Sequence, residues 1–366
     1  MISDQQLRAD TNNFLIVRLV LASFVLVSHA FDLASSAYGP NPTPGWFGGV
    51  SLGHVAVNGF FFLSGFLVSG SFERRNDPAS FISARVARIF PGYIVNLLVT
   101  ILLLGLFVTS VAPANFFTSP QTWNFFVANL STLLPHSGTL PGVFTQNPSM
   151  PAVNGSLWTI NFELACYLAL CLFGALGILA SKSKFYLFSA AFVTFQVVWA
   201  VVGSGLEQQF GSALWVTAFA RLSLSFFLGV LAFRYRHVAS VRWRDLVILT
   251  VITMAYFVIG LRTPLVDETL RALMVAQTIL CVAFSTSRKG LARLDHFDIS
   301  FGLYIYAFPI QQTWYAFFPD MHPLWNMALS LATAIPFALL SWRFIEKPAL
   351  DLNKQFWKSR RMPKTA

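Results

Sequence analysis

The first apolar run of the chain reads Phe14-Leu-Ile-Val-Arg18-Leu-Val-Leu-Ala-Ser-Phe-Val-Leu-Val-Ser28-His29-Ala-Phe-Asp32. A helix crosses a hydrocarbon core about 30 Å thick with roughly 20 residues, which is the length of this run. Lipid offers no partners to the backbone of an open strand, so a spanning segment of this kind is helical. Ionisable residues are costly inside a span and mark functional sites. The run therefore predicts a membrane-spanning helix that carries part of a site.

The same apolar pattern continues along the rest of the chain. Of its 366 residues, 55% are hydrophobic and only 11% are charged, too few for the surface of a soluble domain. The sequence predicts about ten transmembrane helices, near residues 14–34, 50–70, 93–112, 157–180, 185–203, 213–233, 246–261, 269–286, 299–318 and 324–344. The expected fold class is therefore all-α, a polytopic membrane protein.

Positive charge alternates from one loop to the next. Lys and Arg are concentrated at 74–88, 182–184, 234–244, 288–293 and 347–364, whereas the loops 35–49, 113–156 and 204–212 contain none. Arg262 is the exception. Since basic residues accumulate in cytoplasmic loops, both termini are expected in the cytoplasm. This topology also accounts for the net charge of +10 without a nucleic-acid partner. We expect residues 1–350 to form the transmembrane domain and 351–366 to form a basic cytoplasmic tail.

Two of the ionisable residues in the first span share one face of the helix. Arg18 and His29 are eleven positions apart, which places them within about 20° of each other and about 16 Å apart along the axis. Arg18 lies near the cytoplasmic end and His29 near the outer end. Alternatively, Arg18 snorkels to lipid headgroups and His29 is a satisfied core residue. Asp32 either orients His29 or faces water.

The fourth span carries a carboxylate at a similar predicted depth. Glu163 lies about six residues inside the outer end of this span, as His29 does in the first, so both are expected roughly 8–9 Å below the outer surface. A carboxylate beside an imidazole sets its tautomer and raises its basicity. The alternative is a structural hydrogen bond to a neighbouring helix. His54, near the outer start of the second span, is a further residue that can approach this site.

A pair of arginines lies at the cytoplasmic end of the third span. Arg85 and Arg88 have the i, i+3 spacing that places two side chains on one helix face. Two guanidinium groups are suited to binding phosphates. Topology alone also predicts basic residues here, so the pair gains weight from Arg18, which is expected on the same side of the membrane.

A phosphate clamp inside and a base near the outer surface indicate a long phosphorylated donor. A coenzyme A thioester has this shape, with an anionic nucleotide at one end and an acyl group at the other. The base would activate an acceptor hydroxyl, which attacks the thioester carbonyl. Serine-type catalysis is less attractive, because no Gly-x-Ser-x-Gly elbow with a plausible triad is found.

The three cysteines lie inside predicted spans, at Cys166, Cys171 and Cys281. No metal motif is present in the sequence.

Over nearly its whole length the sequence resembles the acyltransferase type 3 family of membrane-bound sugar O-acyltransferases. The motifs that carry this resemblance are Arg18-x10-His29, Gly59-Phe-Phe-Phe-Leu-Ser-Gly-Phe-Leu67, Arg85-x-x-Arg88, Ser156-Leu-Trp158 with Glu163 and Tyr167, Ser300-Phe-Gly-Leu-Tyr304-Ile-Tyr306 with Pro309, and Glu346-Lys-Pro348. Relatives often have a second acidic residue after the glutamate of the fourth span, and this chain does not. It resembles the stand-alone members without a C-terminal SGNH-type domain.

The resemblance implies roles for most of these residues. His29 is expected as the base, with Glu163 or Asp32 as its partner. The arginines, Arg18, Arg85 and Arg88, are expected to bind acyl-coenzyme A. Supporting roles are expected for Tyr167, Trp158 and Tyr304, and for His54.

The implied reaction moves an acyl group, by preference acetyl, from cytoplasmic acyl-coenzyme A to a glycan hydroxyl beyond a bacterial inner membrane. The expected acceptors are exopolysaccharide, lipopolysaccharide or lipo-oligosaccharide, and no metal is expected. A glycan or lipid transporter or flippase is the alternative, since transporters also need charge within the membrane.

Overall fold

The computed structural model describes residues 2–7, 11–34, 38, 49–75, 77–131, 138–211, 213–285 and 297–361. All regular structure in these ranges is helical, which confirms the predicted all-α fold class. The α-helices are α1 (Phe14–Asp32), α2 (Leu52–Arg75), α3 (Pro78–Phe107), α4 (Pro113–Thr118), α5 (Pro120–Ser131), α6 (Trp158–Ala175), α7 (Lys182–Gln209), α8 (Ala213–Arg234), α9 (Trp243–Ile259), α10 (Pro264–Ser285), α11 (Ser300–Phe317), α12 (Pro323–Ser341) and α13 (Lys347–Arg361). A 3₁₀-helix covers Asp4–Leu7, and a π-helix, Trp342–Glu346, joins α12 to α13.

Seven helical segments in the described ranges are long and apolar enough to cross a membrane. They are α1, α2, α3, α6, α7, α8 and the continuous stretch Pro323–Arg360, which contains α12. Helices α9, α10 and α11 occupy the seventh to ninth predicted spans but do not belong to this set. A polytopic all-α membrane protein is thus confirmed. The number of ten crossings and the cytoplasmic termini stay predictions.

The chain forms two compact units. Unit 1 consists of Met1–Leu21, Thr43–Phe81 and Phe162–Asp295, and unit 2 consists of Ala22–Pro42, Ile82–Asn161 and His296–Ala366. Helices α1, α3 and α6 each contribute residues to both units. His29, Arg85 and Arg88 therefore belong to unit 2, whereas Arg18, His54 and Glu163 belong to unit 1.

Unit 1 is built around the pair α2 and α8, whose backbones approach closely at two glycines. A Cβ on Gly65 would collide with the carbonyl oxygen of Phe226, and one on Gly229 would collide with that of Phe62. Small residues permit this approach between helices in a membrane, where close packing drives their association. Larger side chains at these two positions would force the helices apart.

In unit 2, helix α11 holds the outer half of α1. Two residues of α11 at i, i+4 spacing, Gln311 and Tyr315, have fully buried side chains. Gln311 donates to the carbonyl of Leu26 at 2.8 Å, and the Tyr315 hydroxyl donates to that of Ala30 at 2.7 Å. Buried polar groups of this kind need partners, and here they fix one helix against another. The segment of α1 that carries His29 is therefore fixed against α11.

Two helices extend beyond what hydropathy indicates. Helix α3 begins at Pro78, well before the predicted span at 93, because hydropathy detects only its apolar part. Arg85 and Arg88 therefore lie within a helix. The residues predicted as a tail are helical as far as Arg361, and residues 362–366 lie outside the described ranges. The indole of Trp357 donates to the Ser83 hydroxyl at 2.6 Å, which ties α13 to α3 within unit 2.

Candidate active site

His29 faces a hydroxyl on one side of its ring and a carboxylate on the other. Its Nε2 lies 3.5 Å from the Oγ of Ser156, and its Nδ1 lies 4.0 Å from Oδ2 of Asp32. The ring packs edge to face on Phe308, with 4.9 Å between centroids, and 21% of the side chain is exposed. The imidazole is thus positioned and still reachable by a ligand, as a proton-transfer group must be.

Asp32 is held one turn beyond His29 on the same helix. The Ser28 hydroxyl donates to Asp32 Oδ2 at 3.1 Å, the same oxygen that faces the imidazole. A carboxylate at Nδ1 favours the tautomer that leaves Nε2 able to accept a proton. Asp32 is therefore the carboxylate that the structure places beside His29. Glu163 belongs to the other unit, and its pairing with His29 stays a prediction.

A proline in α11 positions the turn that carries Ser156. Pro309 has no N–H, so the carbonyl four residues earlier, that of Ile305, loses its helical partner. This carbonyl instead accepts a hydrogen bond from Asn154 at 2.8 Å and one from Asn96 at 3.2 Å. The side-chain oxygen of Asn154 in turn accepts from the Ser156 N–H at 3.1 Å. The motif proline thus has a physical role, which is to anchor the turn before α6.

Tyr304 and Thr159 hold the other side of this turn. The Tyr304 hydroxyl donates to the Ser156 carbonyl at 3.0 Å and lies 2.7 Å from the Thr159 hydroxyl, which also donates to that carbonyl at 3.3 Å. Trp158, the first residue of α6, is half-buried. Two of the predicted supporting residues, Tyr304 and Trp158, therefore lie in or next to the turn that faces His29.

Gly155 lets the turn approach the aromatic ring against which His29 packs. A Cβ on Gly155 would lie 2.6 Å from the ring of Phe308, closer than side-chain carbons pack. The glycine is needed because the turn and the ring share this space. A larger residue here would displace either Ser156 or the ring beneath the imidazole.

Arg88 is ion-paired with two carboxylates in unit 2. Its guanidinium lies 2.9 Å from Asp298 and 3.3 Å from Glu346, a side chain with no exposed surface. The rings of Phe301 and Trp342 lie 5.8 and 5.7 Å from the guanidinium carbon. Both terminal nitrogens of the guanidinium are therefore engaged by carboxylates, and phosphate binding by Arg88 stays a prediction. Its charge is also required by Glu346, which would otherwise be an unpaired buried carboxylate.

The other two predicted arginines are also half-buried. Arg85 lies one turn before Arg88 on α3, in unit 2. Arg18 lies on the part of α1 that belongs to unit 1. The structure thus places one pair, Arg85 and Arg88, in the same unit as His29.

Glu163 and two hydroxyl groups of unit 1 are mutually within hydrogen-bonding distance. Its Oε1 accepts from the hydroxyls of Ser64 at 2.9 Å and of Tyr167. These two hydroxyls are also 3.3 Å apart. Tyr167 therefore supports the predicted catalytic carboxylate, and Ser64 is an additional residue of this group that lies inside the motif of the second span.

His54 belongs to a charged network in unit 1. Its Nε2 lies 3.1 and 3.0 Å from the two carboxylate oxygens of Glu268. Glu268 also accepts from Asn58 at 2.5 Å and pairs with Arg271 at 3.3 Å, and Arg221 donates to Asn58 at 2.8 Å. The arginine in the sixth predicted span thus has a polar partner within the helices.

No group of three or more His, Cys, Asp or Glu residues with metal-binding geometry occurs among the described residues. The three cysteines are buried and form no disulfide.

The sequence predicted no role for Ser64, Ser156, Asp298 or Glu346, although all four contact predicted site residues. Ser156 and Glu346 were found in motifs, and Asp298 lies just before a third motif. Their partners are more than 100 positions away in the sequence. Helix periodicity relates neighbours three or four residues apart, so no local pattern could have identified these contacts.

Comparison with known proteins supports the resemblance found in the sequence. The family model described as an acyltransferase domain matches residues 12–343. The chain is 28% identical over 343 residues to an O-acetyl transferase of Shigella phage Sf6, which covers 92% of this chain and 95% of that protein. It is 27% identical over 382 residues to Nodulation protein 10 of Rhizobium leguminosarum bv. viciae, with 96% of each chain covered. No solved structure matches it.

Proposed function

Since this chain belongs to the acyltransferase type 3 family, we propose that it is a membrane O-acetyltransferase that acts on a glycan. The donor is acetyl-coenzyme A from the cytoplasm, and the acceptor is a sugar hydroxyl on the opposite side of the membrane. The name of the phage relative, an O-acetyl transferase, supports acetyl as the transferred group. The proposed membrane is the bacterial inner membrane.

The observation that carries this proposal is the environment of His29. An imidazole with a carboxylate 4.0 Å from Nδ1, a hydroxyl 3.5 Å from Nε2 and an exposed fraction of 21% has what a general base requires. Its helix is apolar enough to cross a membrane. Burying an ionisable side chain there costs free energy, so such a residue indicates a functional site.

The reaction follows from these contacts. The Asp32 carboxylate faces Nδ1 at 4.0 Å and favours the tautomer that is protonated there. Nε2 of His29 then removes the proton of the acceptor hydroxyl, and the acceptor oxygen attacks the thioester carbonyl. The tetrahedral oxyanion collapses, the carbon–sulfur bond breaks, and the coenzyme A thiolate takes the proton from His29. The products are an ester and free coenzyme A, so atoms and charges balance. General-base assistance of this kind contributes about 10²–10⁴-fold to the rate.

The arginines bind the donor in this proposal. Arg88 is fixed by Asp298 and Glu346, and Arg85 lies one turn away on the same helix. This pair is proposed to bind the phosphates of the nucleotide at the predicted cytoplasmic surface, and Arg18, in unit 1, is proposed separately as a donor-binding residue. Charge-assisted, bidentate hydrogen bonds to phosphate are the strongest that an arginine makes. The acyl arm then extends from this surface towards His29.

The acceptor is a hydroxyl of an exopolysaccharide, lipopolysaccharide or lipo-oligosaccharide. Purified protein would be incubated with acetyl-labelled acetyl-coenzyme A and each of these glycans, and the label would be followed into the glycan. Label in one glycan, together with release of one coenzyme A per acetyl group, is the expected result. Movement of an unmodified glycan across vesicles without acetyl-coenzyme A would instead identify a transporter.

A further inference from the structure

The contact between His29 and Ser156 indicates a covalent step. We propose that Ser156 accepts the acyl group from the donor and then passes it to the acceptor, so that the enzyme works through an acyl-serine intermediate. This inference rests on the proposed function, because it uses the same base and the same donor. It also revises the expectation from the sequence, where the lack of a Gly-x-Ser-x-Gly elbow made serine-type catalysis less attractive.

The hydroxyl, the imidazole and the carboxylate have the order of a serine-type catalytic triad. Oγ of Ser156 lies 3.5 Å from Nε2 of His29, and Nδ1 lies 4.0 Å from Asp32. Triads are recognised by geometry and not by their order in the chain. The distance from Ser156 to His29 is at the upper limit for a hydrogen bond, and the distance from His29 to Asp32 is an ion-pair separation beyond that limit. Catalytic contacts are often this long before a substrate is bound and shorten in its complex. All three residues belong to unit 2.

The backbone of Ser156 is fixed, and this directs its hydroxyl to the base. Its N–H bonds to Asn154, and its carbonyl accepts from Tyr304 and Thr159. Only 2% of the residue is exposed. Ser69 is a buried serine without such a partner. Its hydroxyl donates to the backbone carbonyl of Gly65, and a carbonyl cannot act as a general base. A serine held this firmly beside an imidazole has the arrangement of an activated nucleophile.

In this proposal, the N-terminal end of α6 helps to stabilise the charge that develops during attack. Ser156 lies two residues before α6, and the N-terminal end of a helix carries a partial positive charge. Fixed dipoles at the place where an oxyanion forms are an effective source of rate enhancement. Here the dipole adds to the triad geometry and is not itself the basis of the proposal.

Each half of the reaction balances. His29 takes the proton of Ser156, Oγ attacks the thioester carbonyl, the carbon–sulfur bond breaks, and the coenzyme A thiolate leaves with the proton from His29. In the second half, His29 takes the proton of the acceptor hydroxyl, the acceptor oxygen attacks the serine ester, and Oγ leaves with that proton. The enzyme returns to its starting state. Donor and acceptor then need not occupy the site together.

The test is an exchange reaction without any glycan. Purified protein in detergent would be mixed with unlabelled acetyl-coenzyme A and labelled coenzyme A, and the formation of labelled acetyl-coenzyme A would be measured. An acyl-serine intermediate predicts exchange by the wild type and an acetyl group on the peptide that contains Ser156. Ser156→Ala should reduce both exchange and glycan acetylation by at least about 100-fold, with acetyl-coenzyme A binding retained.

Two variants serve as controls. Ser330, also in unit 2, is a buried serine whose hydroxyl lies 3.5 Å from an Asn326 oxygen, so Ser330→Ala removes a similar group and should leave exchange within about threefold of wild type. Ser156→Cys should retain part of the exchange and give a thioester that neutral hydroxylamine cleaves.

The outcomes separate this inference from the proposed function. Glycan acetylation by the wild type without exchange or an acetylated peptide would overturn the intermediate and leave direct transfer by His29 intact. Wild-type levels of glycan acetylation by Ser156→Ala would also overturn the intermediate and leave direct transfer by His29 intact. If the wild type does not acetylate any glycan but still undergoes exchange at Ser156, the intermediate stands and the proposed acceptor is wrong.

Discussion

His29 and His54 both lie on helices apolar enough to cross a membrane, but their surroundings differ in charge and distance. His54 contacts both oxygens of Glu268 at 3.0–3.1 Å, inside a network with Arg221 and Arg271. His29 has a hydroxyl at 3.5 Å and a carboxylate at 4.0 Å. The two rings are about equally exposed, at 22% and 21% of their side chains, so exposure does not distinguish them.

The difference indicates which histidine can act as a base. An imidazole held on a carboxylate among arginines is part of an ion network, and removing a member of such a network leaves charge uncompensated. An imidazole beside a hydroxyl at longer distance can exchange its proton with a ligand. We therefore infer a structural role for His54 in unit 1 and a catalytic role for His29 in unit 2.

The largest effect is expected from loss of the base. His29→Ala should lower glycan acetylation by about 10²–10⁴-fold, the usual contribution of a positioned general base. The variant should still insert in the membrane and bind acetyl-coenzyme A, because the Asp32 carboxylate that faces His29 is 45% exposed and keeps its hydrogen bond from Ser28. Labelled acetyl transfer per amount of folded protein is the measurement. Undiminished transfer would refute the assignment.

Displacing the turn opposite His29 should have the next largest effect. In Gly155→Ala, the added methyl group collides with Phe308, so Ser156 and the imidazole shift apart. A misplacement of about 1 Å can cost about 100-fold in rate, so a loss of that order in kcat is expected, with little change in the KM for acetyl-coenzyme A. Gly205→Ala, within α7 of unit 1, is the control: no atom lies within 4 Å of the added carbon and the backbone is helical, so kcat should stay at the wild-type value. Equal kcat values for Gly155→Ala and wild type would contradict the geometric account.

Substitutions in the arginine pair should weaken binding of the donor and leave proton transfer by His29 unchanged. Arg85→Ala is expected to raise the KM for acetyl-coenzyme A by about tenfold, as for the loss of one charge-assisted contact to phosphate. Arg88→Ala should raise this KM as well. It should also lower the free energy of unfolding by about 3–5 kcal/mol, because Glu346 is left buried without its cation. Titration of acetyl-coenzyme A together with thermal unfolding separates the two effects. Unchanged binding in both variants would reject the clamp.

The smallest effect on transfer is expected at His54. His54→Gln keeps a donor for Glu268 but removes the imidazole, so the melting temperature should fall while kcat stays within about threefold of wild type. Transfer assays would be normalised to the amount of folded protein. A loss of activity as large as that of His29→Ala, without a loss of stability, would contradict the contrast between the two histidines.

The sequence predicted the helices well because lipid imposes a strong constraint on apolar length. All ten predicted spans overlap helices, and the polar extension of α3 was missed because it has no hydropathy signal. The candidate residues were found because ionisable groups in spans are rare. Asp32 was a candidate partner of His29 for a local reason, its position three residues along the same helix.

The remaining contacts of the site depend on distant parts of the chain. Ser156 reaches His29 because Pro309 frees a carbonyl in α11 that anchors the preceding turn, a chain of contacts across three segments. The carboxylates around Arg88 come from the π-helix between α12 and α13 and from the residues just before α11. Periodicity and motif spacing describe single helices, so neither contains the packing that joins these segments.

Passage of an acetyl group from a cytoplasmic donor to a glycan on the other side of the membrane can be measured in sealed, right-side-out vesicles containing the protein. Labelled acetyl-coenzyme A would be enclosed in the lumen and the glycan added outside, and label in the outer glycan would be measured. We predict acetylation in this arrangement, and none when acetyl-coenzyme A is supplied only outside or when His29 is replaced by alanine. Acetylation only when donor and glycan are on the same side of the membrane would contradict the account.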